Sequence, residues 1–206
     1  GYGVVGQQIA EIIRAHHPEL PILIAGRDPA KGQALANRLG YADVIALDVL
    51  QPNPLQNLQP RAVLAAVNDP HDYLLRDAIK KGVPYLDITR WTERMHAALA
   101  IAEQEKLVAP VMLSSAWMAG VAAVVAKDLT RNMQSVKTID IAVLYSLKDK
   151  AGPNSTEYMD RLATPFEVMI DGEAKSVYPY TDPRRVTFPG GYSAKAYRFD
   201  TPDQFT

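Results

Sequence analysis

Along the first two-thirds of the chain, short apolar runs alternate with amphipathic stretches. The runs that read as strands are Ile22 to Ala25, Val44 to Leu47, Ala62 to Val67, Tyr85 to Ile88 and Val108 to Leu113. Between and around them, apolar side chains recur at helical spacing: Ile9, Ile12 and Ile13; Leu35 and Leu39; Leu74, Leu75 and Ala78; Met95, Ala98, Leu99 and Ala102; Val121, Val124, Val125 and Leu129. Spacing of i, i+3 and i+4 turns one stripe of each helix toward a sheet. Strand and helix in alternation is the pattern of βαβ units, whose crossover helices keep the strands parallel. Residues 1–131 are therefore expected to form a Rossmann-type, doubly wound parallel sheet.

The texture changes near Met133. Val136 to Tyr145 alternates, with Ile139, Ile141, Val143 and Tyr145 on one face and Thr138 and Asp140 on the other, which predicts an antiparallel strand with one exposed face. A polar, breaker-rich loop follows over Asp149 to Thr156. Phe166 to Ile170 then meets Asp171-Gly172 ahead of Lys175 to Tyr178, a hairpin signal, because Asp-Gly accepts the positive φ of a tight turn. Residues 132–206 are expected to be the truncated start of an α+β domain, with this strand and the hairpin in one mostly antiparallel sheet.

The chain opens on Gly1-Tyr2-Gly3-Val4-Val5-Gly6, a GxGxxG turn, and the apolar helix face of Ile9 follows at once. Such glycines serve a tight turn, close backbone approach to a pyrophosphate, and close packing of helix on strand. The helix start behind them offers free N–H groups and a partial positive charge. No strand leads into the turn, no initiator Met is present and the end carries no terminating element, so the sequence reads as an internal piece of a longer protein.

At the tip of the first apolar run stands Ala25-Gly26-Arg27, with Lys31 four residues on. An acidic residue there would bond the adenosine ribose and repel a 2′-phosphate, whereas two cations can pair that phosphate. NADP is thus favoured, with NAD possible. Asp28 either accepts from a ribose hydroxyl or caps the helix that begins at Pro29. Asp48 and Val49 follow the next strand, level with an adenine ring; Asp48 either contacts the cofactor or satisfies a loop amide. Asn68 ends the strand after that, where it either meets the cofactor or opens the Asn-Asp-Pro turn. Tyr85, Asp87 and Thr89 share one face of the next strand end. Asp87 and Thr89 are the candidates for substrate or nicotinamide contact, against the alternative of a carboxylate bonded to neighbouring backbone.

Composition narrows the choices. The 206 residues are 48% hydrophobic, enough for a core. A net charge of −1 with both signs spread along the chain leaves no basic stripe for nucleic acid. Zero cysteines remove disulfides, thiolate catalysis and cysteine-based zinc sites, and fit a cytoplasmic setting. No apolar run reaches the roughly 18 residues of a membrane span. The four histidines lack metal-ligand spacing, so no metal is expected. Ser114-Ser115 lacks the GxSxG elbow, and Trp91 and Trp117 read as packing residues.

The order GYGVVG, AGRDPAKGQALA, VNDP, GVPYLDIT resembles the saccharopine dehydrogenase-like NAD(P)-dependent reductases. The Gly26-Arg27-Asp28 tip followed by Lys31, Leu35 and Ala36, and the Tyr85-Leu86-Asp87 stretch, carry that resemblance over about residues 1–130. Ala116-Trp117-Met118-Ala119-Gly120 departs from the family's Gly-x-x-Pro-Gly turn. The resemblance implies an oxidoreductase whose α+β domain binds a small-molecule substrate and forms a homodimer. The expected activity is hydride transfer between NADP and a carbonyl, imine or secondary amine; the alternative is a non-catalytic dinucleotide sensor or scaffold.

Overall fold

The computed structural model describes residues 1–114, 120–146, 148, 163–201 and 203. Helix α1 (Val4–His16) leads into strand β1 (Ile22–Gly26), helix α2 (Ala30–Leu39) and strand β2 (Ala42–Ala46), and β1 and β2 pair in parallel with Ile24 opposite Val44. After a loop come β3 (Val63–Ala65), α3 (Tyr73–Lys81), β4 (Tyr85–Asp87), α4 (Thr92–Gln104) and β5 (Val111–Leu113). These three strands form a second parallel sheet in the order β3-β4-β5, and helix α5 (Val121–Thr130) follows. The alternation of strand and helix is as the apolar pattern requires.

Each sheet has its own core. In the first, Ala10 of α1, Ile24 of β1, and Leu35 and Leu39 of α2 pack together, with Tyr2, Ile22 and Val44 against them. In the second, Leu74, Leu75, Ala78 and Ile79 of α3 and Ala98 and Ile101 of α4 close over Ala65 and Tyr85. The loop between β2 and β3 is drawn into that core by Val49 and Leu55, and the buried Asp77 carboxylate accepts the Leu55 N–H at 2.7 Å. Asp77 is thereby a splint for a stretch with no ladder of its own.

The parallel strands form two sheets, not one, because no described strand pairs with the outer edges of β1 and β3. Gly26 O accepts from Leu47 N on the β2 side, so Ala25 O, one residue earlier, points to the opposite edge. The Gly1 amine donates to that Ala25 carbonyl. The chain thus enters along the outer edge of β1.

Arg14 ties the first unit together from below. Its guanidinium donates to Leu39 O at the end of α2 and Tyr41 O just past it, and to His17 O and Pro18 O just past α1. Arg38 of α2 reaches back to Glu11 of α1 at 2.6 Å.

Beyond α5, the described strands form two antiparallel hairpins. Strands β6 (Phe166–Ile170) and β7 (Glu173–Val177) turn through Asp171 and Gly172, with φ of 55° and 79°, the conformation anticipated for that dipeptide. Strands β8 (Arg184–Thr187) and β9 (Ser193–Ala196) form the second. The buried Thr92 hydroxyl at the start of α4 donates to Asp200 at 2.9 Å, linking this part to the second parallel sheet.

Three expectations are corrected. Val136 to Tyr145 is not a strand: its backbone is irregular and its side chains are exposed, since alternation supplies two faces but a ladder needs a partner backbone. Among the described residues, the antiparallel part is accordingly two separate hairpins instead of one sheet. Helix α5 forms, yet Val121, Val124, Val125 and Leu129 are all exposed, and Ile12 of α1 is exposed too, so these stripes are not buried among the described residues. The loop over Asp149 to Thr156, and Ser115 to Ala119 with Trp117, lie outside the described residues.

Candidate dinucleotide site

The glycine turn stands at the start of α1, beside the carboxyl end of β1. Gly3 is the N-cap of α1; no side chain caps it, and no acidic residue occupies the first turn. The first N–H groups of a helix have no partner within it. At α2 and α3 a carboxylate does that work. Asp28 Oδ1 accepts the Ala30 N–H at 3.2 Å, and Asp69 accepts those of Tyr73, Leu74 and Leu75. Burial pushes the Asp69 carboxyl above its ordinary pKa, against the lowering effect of the Leu74 and Leu75 amides. Of these three helix starts only α1 is left open to an outside anion.

The glycines differ in what they make room for. A Cβ on Gly6 would lie 2.3 Å from the Gly1 carbonyl oxygen, so this glycine serves packing within the turn. A Cβ on Gly3 would meet nothing within 4 Å. Gly3 therefore keeps clear a space that no described residue fills, where a phosphate group can approach the backbone. These residues fit a dinucleotide.

At the tip of β1, Arg27 is exposed, and its guanidinium has no partner among the described residues. Lys31 lies 3.6 Å from Asp28 Oδ2, and both are well exposed, so the contact is worth little and yields readily to a phosphate. Of the two readings for Asp28, the structure shows the bond to the Ala30 amide at the entrance to α2. Asp48 likewise bonds the Leu50 amide at 3.0 Å, and the Val49 side chain is buried in the second core. Asn68 is half-buried three residues beyond β3.

Beyond β4 lies a buried polar cluster. Asp87, 0% exposed, accepts four hydrogen bonds: from the Thr89 amide and hydroxyl on Oδ1, and from the Tyr85 hydroxyl and Arg90 Nε on Oδ2, all at 2.8–2.9 Å. Arg90 also donates to Asp72, which Arg94 shares at 2.9 Å. Burial lowers the Arg90 pKa, but the Asp87 charge and the Asp72 hydrogen bond outweigh it and hold the guanidinium above its ordinary value. Burial, reinforced by Asp87, raises that of Tyr85. A carboxylate offers about four lone-pair positions, so Asp87 has none left for a ligand. Thr89, half-buried, is held by Asp87 and also lies 3.1 Å from Val67 O, at the strand ends where ligands of such sheets gather. The sequence alone missed Arg90, Asp72 and Arg94. Their only signal was an unusual density of opposite charges around two strand ends.

The described residues hold no group of three or more His, Asp or Glu able to bind a metal, and no helix among them is long and apolar enough to cross a membrane.

An α/β unit with an open glycine turn, an uncapped first helix and a cation at the first strand tip defines a dinucleotide-binding protein. The signature of the saccharopine dehydrogenase NADP-binding domain matches residues 1–124. The chain belongs to the saccharopine dehydrogenase family, an oxidoreductase family, and NADP is the cofactor of this domain. Its structure is similar to that of apo histidine-tagged saccharopine dehydrogenase (L-Glu forming) from Saccharomyces cerevisiae, with a TM-score of 0.68 at 19% identity. The likeness covers 97% of this chain and 48% of the yeast chain, so this chain spans about half the length of that relative. A search of curated proteins finds no match.

Proposed function

We propose that this chain is the cofactor-holding part of an NADP-preferring oxidoreductase that moves a hydride between the nicotinamide and a carbonyl, imine or secondary amine. The observation that carries the reading is Arg27, unpartnered among the described residues, beside an α1 start that none of their side chains caps. The diphosphate would lie against the amides of Gly3, Val4, Val5 and Gly6, and the 2′-phosphate against Arg27 and Lys31. NADP, when bound, supplies the hydride chemistry. The protein's part at the other end falls to Thr89, whose hydroxyl would contact the nicotinamide or the substrate. Asp87 acts on the reaction by fixing Thr89, as a positioning residue.

A cytoplasmic homodimer formed through the antiparallel part completes the proposal. The second reading, a dinucleotide sensor without turnover, draws on one observation: the most buried carboxylate at the strand ends has no lone pair to offer a proton. Fluorescence titration with NADPH, followed by absorbance in the presence of keto acids, imines and secondary amines, separates the two. Binding with oxidation of NADPH supports the enzyme; binding without turnover of any of them favours the sensor. Failure to bind NADPH refutes both.

A further inference from the structure

The ring of Tyr2 stands directly over Gly26. A Cβ on residue 26 would lie 2.3 Å from Tyr2 Cε1, and one on Gly32 would lie 3.2 Å from Cδ1. Two glycines, one on β1 and one on α2, thus give up their side chains to the same aromatic ring. Its hydroxyl accepts the backbone N–H of Asp28 at 3.2 Å. On the other side of Arg27, Gly26 O is held by the Leu47 amide at 3.0 Å. The peptide units on both sides of Arg27 are therefore pinned, one by the β2 side of the sheet and one by Tyr2. Asp28, so held, bonds the Ala30 amide and pairs with Lys31.

We propose that Tyr2 is a specificity-determining positioning residue: by locking the Gly26-Arg27-Asp28 tip it fixes where the Arg27 guanidinium stands, and so sets the preference for NADP over NAD. The inference rests on the reading that Arg27 meets the 2′-phosphate. A long cation discriminates only if its base is held, because a mobile tip spends the gain of the ion pair on ordering itself. Without the hydroxyl, the Asp28 N–H loses its acceptor and the tip pivots at Arg27. Only a ligand that reaches Arg27 senses this. NADH, which has no 2′-phosphate, does not.

The test is the full-length protein with Tyr2→Phe, which keeps the ring over the two glycines, titrated by fluorescence with NADPH and with NADH. The dissociation constant for NADPH should rise roughly three- to tenfold, the usual worth of one net hydrogen bond, while that for NADH stays unchanged. A ring that only packs would leave both constants alone, and a general loosening would weaken both equally; either result overturns the proposal. Gly26→Ala, which drives a methyl into the ring, should also lower the NADPH-to-NADH preference, and an intact preference there counts against the proposal. Arg27→Ala, run in parallel, tells the two failures apart. If it abolishes the preference and Tyr2→Phe does not, the role of Tyr2 is wrong and the phosphate reading stands. If Arg27→Ala leaves the preference intact, the phosphate is read elsewhere and both fall.

Discussion

Exchanging Asp87 for Asn changes one atom and one charge at a position sealed from water, and the structure sets what that costs. The native carboxylate accepts from four donors. An Asn offers one oxygen, and its amide group must face either the Thr89 pair or the Tyr85 and Arg90 pair. The two hydroxyls can rotate to accept from the amide, but Thr89 N–H and Arg90 Nε–H are donors only. One fixed donor is stranded in either orientation, at about 1–3 kcal/mol. The lost charge also leaves Arg90 to share Asp72 with Arg94, and breaking a buried ion pair from one side costs about 3–5 kcal/mol. The two costs describe largely the same event, so the expected loss is about 3–5 kcal/mol, a large share of the roughly 5–15 kcal/mol available to a domain. Urea unfolding followed by circular dichroism measures it. Asp43→Asn, the same exchange on the exposed side of β2, is the control and should stay within about 0.5 kcal/mol. At a temperature where Asp87→Asn remains folded, turnover should fall more than NADPH affinity, because Thr89 moves and the β1 tip does not. A loss below about 1 kcal/mol would refute the view that these four bonds are made together in a water-free site.

Other consequences are open to measurement. Because Tyr85 is held above its ordinary pKa of 10.0, the unfolded chain ionises first; the contribution is complete below about pH 10 and is lost as the pH climbs toward the folded value. Tyr85→Phe should flatten the fall of unfolding free energy above that pH, and parallel curves for the two proteins would contradict this. Thr92→Val removes the buried bond to Asp200 and should cost about 1–2 kcal/mol, with faster hydrogen exchange in β8 and β9 than in β3 to β5; uniform exchange would show that the bond does not hold the hairpin part. Light scattering of the full-length protein should give the mass of a dimer at micromolar concentration, and a monomer there removes the proposed homodimer.

Among the described residues, the five parallel strands and five helices were legible because each is written in local periodicity: Leu35 with Leu39, or Leu74 with Ala78, state a buried stripe within a single turn. The Asp171-Gly172 turn was legible for a similar reason, since the dipeptide itself carries the required φ. Val136 to Tyr145 misled because its alternation says how a strand would sit but not whether another backbone is there to pair with it. The polar cluster was illegible for want of locality. Asp72 and Arg90 stand 18 positions apart, and Tyr2 and Asp28 stand 26 apart, so no window of sequence holds either pair. Asp87 was visible as a candidate from its place at a strand end, but the four donors that occupy it were not.

Arg14 gives the proposed cofactor groove a fixed gauge. The two places where a dinucleotide would be gripped, the turn at the head of α1 and the Arg27 tip at the head of α2, have no covalent rigidity between them beyond β1. At the tails of the same two helices, a single guanidinium holds the carbonyls of Leu39 and Tyr41 together with those of His17 and Pro18. Rods clamped at one end cannot splay at the other without bending or sliding along their length. The span between the proposed diphosphate and 2′-phosphate grips is therefore held at both ends, by Tyr2 at the heads and by Arg14 at the tails, and a substitution at Arg14 would alter the ruler against which the ligand is measured.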